Sequence, residues 1–175
     1  MPPVRWRVRH GDILDVAADV LVCSANPFLT LSGGVGGALL LRYGSSLQTE
    51  LNDHLAGQGR RYLDRGSIVV TRPPSTPYAA VIHAVAVNGF YESSPAVITE
   101  VVRAALRAAA DSGARVVALT ALATGYGRLS IGQFAEGLLD VVAEDFPPIR
   151  EVVIGVRGAD EVPELGRIVP GVTVE

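Results

Sequence analysis

A glycine-rich loop between an apolar strand and a helix constrains the fold of this chain more than any other feature. The run Val20–Ser24 is apolar and rich in valine, which is typical of a buried strand. After Asn26 comes the glycine-rich segment Ser32–Ala38, which opens into the apolar, helix-like segment Ala38–Tyr43. Glycine lets the backbone approach a ligand closely, and a helix start offers unpaired N–H groups to an anion. The sequence therefore predicts a cradle for a phosphate or diphosphate, without the Gly-Lys-Ser/Thr ending of a P-loop.

A second glycine loop, Ala123–Ser130, lies in a similar position. It follows the apolar strand predicted over Arg115–Ala121 and leads into a helix predicted over Ile131–Glu144. In α/β sheets, ligands bind at the carboxyl ends of the strands. We therefore expect both loops to line one crevice and to hold a ligand from two sides, as a diphosphate would require.

The remaining pattern alternates strands with helices. Further strands are predicted at Val4–Arg9, Ser67–Thr71, Tyr78–Val87 and Glu151–Val156, and further helices at Leu47–Leu55, Pro95–Ser112 and Ala159–Arg167. Residues 172–174 form an edge strand or a trailing end. At 175 residues and 49% hydrophobic, the chain is long enough for one sizeable core and too short for two. This predicts a single α/β domain over residues 1–175, with three α/β/α layers around a mixed, mostly parallel sheet covered by helices on both faces.

Charge and composition exclude several classes of function. The net charge is −3, which argues against an extended nucleic-acid surface. All 15 positive charges are arginines, so no mechanism that needs a lysine amine is possible. No segment has the length and apolarity of a membrane span, and the N-terminus lacks the apolar core of a signal peptide. We expect a soluble, cytoplasmic protein with no membrane partner.

The metal-binding and nucleophilic residue types are few and scattered. His10, His54, His83 and Cys23 have no ligand spacing, so the sequence predicts no metal site, and we expect no cofactor. There is also no Gly-x-Ser-x-Gly elbow. His83 lies within an apolar strand, which favours a core histidine with satisfied hydrogen bonds over a catalytic one.

Five short motifs resemble, in order, those of the macrodomain family, whose members bind ADP-ribose. They run from residue 11 to the late glycine loop, and the likeness extends to about residue 156, nearly the whole chain. The motifs are Gly11–Ile13, Cys23–Asn26, Ser32–Val35, Ile82–Val85 and Thr120–Gly127. The resemblance implies a macrodomain fold that binds ADP-ribose or an ADP-ribosylated macromolecule.

The same resemblance implies a role for each site residue. Asp12 would accept a hydrogen bond from the adenine amine, Ile13 would lie against the ring, and Asn26 would bind the distal ribose. The first loop would wrap that ribose and part of the diphosphate, and backbone N–H groups of the second loop would bind the phosphates. Tyr126 would close over the sugar, and Phe90 or Tyr91 would add an apolar wall. The implied ligand-binding residues are Asp12, Ile13, Asn26, Gly33, Gly34, Val35, Gly36, Ala123, Thr124, Gly125, Tyr126 and Gly127.

Structural roles also account for several of these residues. Asp12 beside a glycine is typical of a turn or a helix cap, and Asn26 before a proline is typical of a turn start. A glycine loop by itself is more often a connection than a ligand site. Tyr126, between two glycines, has no evident structural role.

Departures from the family pattern leave open whether the protein is a binder or an enzyme. The best-known hydrolase branch carries Asn and Asp at the positions that Cys23 and Gly36 occupy here. The branch that uses a lysine nucleophile is excluded because the sequence contains no lysine. The glycohydrolase branch that cleaves ADP-ribose polymers needs a pair of glutamates, and no such pair follows the first loop. We expect ADP-ribose binding and assign no catalytic residue. The first alternative is a hydrolase that removes ADP-ribose, or the acetyl group of O-acetyl-ADP-ribose, by a substrate-assisted route. The second is a module that binds another nucleotide or a nucleic-acid terminal phosphate.

Overall fold

A mixed sheet forms the centre of the molecule. Over residues 3–175, which the computed structural model describes, the sheet has seven strands in the order β3-β4-β2-β5-β6-β1-β7. Every neighbouring pair is parallel except β3 and β4. The strands are β1 (Arg5–His10), β2 (Val20–Ala25), β3 (Ile68–Thr71), β4 (Ala80–Val85), β5 (Val116–Thr120), β6 (Glu151–Val156) and β7 (Thr173–Val174). The mostly parallel sheet expected from the sequence is thereby confirmed.

Helices cover both faces of this sheet. They are α1 (Gly34–Tyr43), α2 (Ser46–Gly57), α3 (Pro95–Asp111), α4 (Ile131–Leu138) and α5 (Glu161–Ile168), with 3₁₀ turns at Ile13–Asp15 and Val141–Ala143. Helices α1 and α2 pack on one face, and α3, α4 and α5 pack on the other. This arrangement confirms the three-layer α/β/α architecture.

The central strands have a core on each side, which explains why they are apolar without alternation. In β2, Val20 and Val22 point into the core beneath α3 and α4, whereas Leu21 and Cys23 point into the core beneath α1 and α2. All of these side chains are fully buried. Strands buried on both faces are expected to be continuous hydrophobic runs.

Helix α3 follows directly from its sequence. The hydroxyl of Ser94 accepts a hydrogen bond from the backbone N–H of Val97 at 3.3 Å, and Pro95 occupies the first turn, where its missing N–H costs nothing. Its buried side chains recur every three or four residues and form one face toward the sheet: Ile98, Val101, Val102, Ala105, Leu106 and Ala109.

Two predicted helix boundaries were inaccurate, and one short element was missed. The helix predicted over Ile131–Glu144 ends at Leu138 and continues as the 3₁₀ turn, which keeps Val141 fully buried. Helix α1 begins at Gly34, before the helix-like segment Ala38–Tyr43, since the glycines themselves form its first turn. The short turn Ile13–Asp15 was not predicted at all.

Parallel pairing places both glycine loops at the same edge of the sheet. Because β1, β2, β4, β5 and β6 are mutually parallel, their carboxyl ends lie side by side. Both glycine loops leave the sheet at this edge. Among the described residues, no helix is both long and apolar enough to span a bilayer.

Candidate ligand-binding cleft

A cleft of about 600 Å³ runs across the carboxyl ends of the strands. Its walls come from the loop after β1, the two glycine loops, the loop after β4 and the residues that follow β6. All twelve residues predicted from the sequence line it: Asp12, Ile13, Asn26, Gly33, Gly34, Val35, Gly36, Ala123, Thr124, Gly125, Tyr126 and Gly127. The structure therefore brings together residues that are more than 100 positions apart in the chain. That they contact a ligand stays a prediction.

The first glycine loop ends in an uncapped helix N-terminus that faces the cleft. Gly33 is the N-cap of α1, and it makes no side-chain capping hydrogen bond. Within residues 3–175, the backbone N–H groups of Gly34, Val35 and Gly36 have no hydrogen-bond acceptor. Gly33 and Gly34 have φ values of +64° and +51°, which disfavour any residue with a side chain. The cleft is therefore lined here by residues whose backbone N–H groups are available to a ligand.

The second glycine loop lines the cleft in the same way. No backbone N–H from Ala123 to Gly127 finds an acceptor in the part of the chain that the structure describes. The loop is held from behind, because Leu129 donates its N–H to the carbonyl of Ala123 at 3.0 Å. A Cβ on Gly127 would lie 2.5 Å from that same carbonyl oxygen, so only glycine fits there. The loop is thus fixed by its backbone while its N–H groups remain available.

Tyr126 connects the two loops at one end of the cleft. A Cβ on Gly33 would lie 2.6 Å from its hydroxyl oxygen, so the tyrosine lies directly over the first loop. Its ring centroid is 6.1 Å from that of Tyr91, and the side chain is 70% exposed. Tyr91 lines the cleft, whereas the neighbouring Phe90 is exposed outside it. Of the two aromatic residues that the sequence analysis offered as a wall, the structure places Tyr91 in that position.

Asp12 lies at the opposite end and has a structural role as well. Its Oδ1 accepts a hydrogen bond from the N–H of Leu14 at 2.9 Å and caps the 3₁₀ turn. Its Oδ2 pairs with the guanidinium of Arg42 at 3.0 Å, and Arg42 also contacts Asp15 at 3.1 Å. The Asp12 side chain nevertheless remains 43% exposed. The carboxylate is therefore oriented by the fold and still accessible from the cleft.

Ile13 forms the floor beside Asp12. A Cβ on Gly155 of β6 would lie 2.6 Å from the Cδ1 atom of Ile13, so the isoleucine packs flat on the strand. It is buried, yet it lines the cleft. A flat apolar surface next to an exposed carboxylate can receive a heteroaromatic ring with an amino group at its edge.

Asn26 uses most of its hydrogen-bonding capacity within its own loop. Its Oδ1 accepts from the N–H groups of Phe28 at 3.0 Å and Thr30 at 3.2 Å, and its Nδ2 donates to the carbonyl of Thr30 at 2.8 Å. A carboxamide has two donor hydrogens and two acceptor lone pairs. One N–H therefore remains, and Asn26 can reach a ligand only as a donor.

Sequence reasoning missed two charged residues of the cleft, Arg157 and Glu161. Both follow β6 and line the cavity. The Oε2 atom of Glu161 accepts from the N–H groups of Arg157 at 3.1 Å and Gly158 at 2.8 Å, which fixes the turn between β6 and α5. The rule that ligands bind at the carboxyl ends of strands could have identified them, because Arg157 is the first residue after β6.

His83, which lines the cleft, forms a buried pair with Cys23. Because the Thr71 hydroxyl donates to the carbonyl of Val81 at 3.1 Å, it can only accept from Nε2–H of His83, at 3.0 Å. Nδ1 of His83 then accepts from the Cys23 thiol at 3.6 Å. Burial lowers the pKa of His83 to about 4 and raises the pKa of Cys23 to about 12. Both side chains are therefore neutral near pH 7, and the prediction of a satisfied core histidine is confirmed.

The acidic side chains of the cleft lie only at its β1 and β6 end. They are Asp12 and Glu161, whereas the wall between Asn26 and Gly36 contains none. In residues 3–175, no three His, Cys, Asp or Glu side chains are grouped closely enough to hold a metal ion.

The sequence profile of the Macro domain family matches residues 22–137. The chain belongs to this family. An O-acetyl-ADP-ribose deacetylase of Enterobacter cloacae is 37% identical over 123 residues, which are 69% of this chain and 67% of that protein. A macro domain-containing protein of Streptomyces coelicolor is 32% identical over 144 residues, which are 82% of this chain and 85% of its own.

Solved macrodomain structures have the same fold. One from Oceanobacillus iheyensis, with MES bound, superimposes with a TM-score of 0.81 over 92% of this chain and 88% of its own, at 19% identity. One from Trypanosoma brucei, in complex with ADP-ribose, gives a TM-score of 0.76 over 91% of this chain and 67% of its own, at 20% identity. The macrodomain fold implied by the five motifs is thus confirmed.

The burial of His83 makes a prediction about stability. An unfolded histidine has a pKa near 6.5, so between pH 6.5 and 4 the unfolded macrodomain binds a proton that the folded one does not. We expect the free energy of unfolding to decrease as pH falls through this range, by about 3 kcal/mol in total from this residue. Urea unfolding at several pH values measures this decrease. In the His83→Gln variant, the decrease in the free energy of unfolding between pH 6.5 and 4 should be smaller by that amount, whatever the stability of the variant at pH 7. The same pH dependence in the variant and the wild type would contradict the lowered pKa of His83.

Proposed function

We propose that this macrodomain binds ADP-ribose, either free or attached to a macromolecule, in the cleft between its two glycine loops. The observation that carries the proposal is that both glycine loops line the cleft with backbone N–H groups that have no acceptor among the described residues. Such donors bind anions, and the helix dipole of α1 adds favourable potential at one of them. A diphosphate between the loops would accept from both of them.

The end of the cleft near β1 suits an adenine ring. The exposed Asp12 carboxylate accepts hydrogen bonds only, which matches the exocyclic amine of adenine. Arg42 and the N–H of Leu14 hold that carboxylate in place, so its orientation costs little on binding. Ile13 supplies an apolar surface against which the ring can lie.

The end near β4 suits the distal ribose. Tyr126 and Tyr91 form a wall there, and Asn26 has one N–H to donate to a ribose hydroxyl. Tyr126 is exposed and lies over Gly33, so it can cover a sugar held by the first loop. A macromolecule attached to the distal ribose would leave the cleft on this side.

Relatives support this assignment of the ligand. The similar Trypanosoma brucei macrodomain was solved in complex with ADP-ribose and in complex with ADP, and the Oceanobacillus iheyensis macrodomain was also solved with ADP. The Enterobacter cloacae relative is a deacetylase of O-acetyl-ADP-ribose. Their common ligand element is an adenosine diphosphate.

Substitution of Gly125 tests the proposed cradle. Gly125→Glu adds bulk and negative charge between the loops, at a residue without positive φ, so we expect ADP-ribose binding to be abolished while the fold is retained. Isothermal titration calorimetry measures the binding, and circular dichroism checks the fold. Gly57→Glu, at the end of α2 with open space around it, is the matched control and should bind like the wild type. Normal binding by Gly125→Glu would show that the ligand does not occupy the space between the loops.

Hydrolysis is a second candidate function, favoured by the deacetylase relative at 37% identity. Removal of an acetyl group needs a water activated near the distal ribose. The wall from Asn26 to Gly36 supplies no carboxylate, and the nearest cleft histidine is buried and neutral. The remaining route is substrate-assisted, with a ligand phosphate orienting the water.

The rate of acetate release distinguishes the two functions. Loss of a general base typically costs about two to four decades in rate. We therefore expect this protein to release acetate from O-acetyl-ADP-ribose at no more than about 1% of the rate of the Enterobacter cloacae enzyme assayed in parallel. A comparable rate would establish a deacetylase and contradict the proposal of a binding module.

A further inference from the structure

Arg157 lies across the middle of the cleft, between the two glycine loops. A Cβ placed on Gly34 of the first loop would lie 2.9 Å from its Nη2 atom. A Cβ placed on Gly125 of the second loop would lie 3.8 Å from its Nη1 atom. One guanidinium group therefore reaches both loops at the two glycines that flank the proposed diphosphate position.

The charge of Arg157 is not neutralised by any carboxylate in residues 3–175. Arg42 pairs with Asp12 and Asp15, and Arg103 pairs with Glu144. Glu161, the acidic residue nearest in sequence, instead accepts hydrogen bonds from the backbone N–H groups of Arg157 and Gly158. The main chain of Arg157 is therefore anchored, while its guanidinium adds positive charge to two rows of unpaired N–H groups.

We propose that Arg157 binds the phosphates of the ligand and makes the cleft selective for nucleoside diphosphates over nucleosides. This inference rests on the proposed function and adds a residue to it. A guanidinium offers a planar fork of N–H donors that matches two phosphate oxygens, and hydrogen bonds between charged groups are stronger than neutral ones. Backbone N–H groups fix the position of the diphosphate, and Arg157 supplies the one full positive charge beside it.

The location of Arg157 also permits the opposite effect, in which the side chain fills the channel and must move before a ligand enters. The two roles predict opposite changes in ligand affinity when the Arg157 side chain is removed. Removal of a phosphate-binding cation weakens the binding of charged ligands, whereas removal of an obstructing side chain strengthens the binding of all ligands. A single substitution therefore distinguishes them.

The test compares Arg157→Gln with the wild type by calorimetric titration of adenosine, AMP, ADP and ADP-ribose at low salt. We expect ADP and ADP-ribose to bind roughly tenfold more weakly to Arg157→Gln, and adenosine to bind equally to both proteins. The difference should shrink at 1 M NaCl, because salt screens an exposed charge. Arg157→Lys should recover part of the loss, since it retains the charge without the planar fork.

Arg61→Gln is the matched control. Arg61 is exposed between α2 and β3 and does not line the cleft, so its removal changes the net charge equally and should leave all four affinities unchanged. Equal affinities of Arg157→Gln and the wild type, tighter binding by Arg157→Gln, or an equal loss for adenosine would each overturn the inference. A wild type that binds ADP in an Arg157-dependent way but not ADP-ribose would overturn only the proposed function. A wild type that binds none of the four would overturn both.

Discussion

Backbone N–H groups that the fold leaves without acceptors are the constraint on which the rest of the cleft depends. Parallel pairing of β1, β2, β5 and β6 brings loop after loop to one edge of the sheet. At that edge the start of α1 and the loop Ala123–Gly127 both line the cleft, and their backbone N–H groups have no acceptor among the described residues. Unpaired donors are costly when they lose water without gaining an acceptor, so an anion that bridged both loops would stabilise the arrangement.

The side chains around these loops then determine which anion fits. Asp12 is held by Arg42 and Leu14 at one end, and Tyr126 lies over Gly33 at the other. In the proposed binding mode, an acceptor for an amine, a diphosphate cradle and a sugar wall would follow one another along the cleft, in the order of the parts of ADP-ribose. Among the described residues, the cleft wall from Asn26 to Gly36 contains no carboxylate, which is the reason for proposing binding ahead of hydrolysis.

The features that were predictable from the sequence depend on short sequence patterns, namely apolar runs and clusters of glycine. Glycine loops after apolar strands indicated the cleft, and the apolar run of β2 indicated a strand buried on both faces. Other features depend on tertiary contacts. The position of Arg157 over Gly34 requires β6 to lie beside β5, and the break of α4 before Val141 depends on the core it must fill. The sequence predicted Asn26 both as a turn residue and as a ligand-binding residue. Only its hydrogen bonds show that one N–H of its side-chain amide has no acceptor within its own loop.

Calorimetric titration of the wild-type protein shows whether the cleft recognises a complete ADP-ribose through its diphosphate. We expect micromolar affinity for ADP-ribose, with AMP binding more weakly by at least about tenfold, because AMP cannot bridge the two loops or reach the wall formed by Tyr91 and Tyr126. No binding of ADP-ribose at millimolar concentration, or equal affinity for AMP, would contradict it and would indicate that the macrodomain cleft is adapted to another ligand.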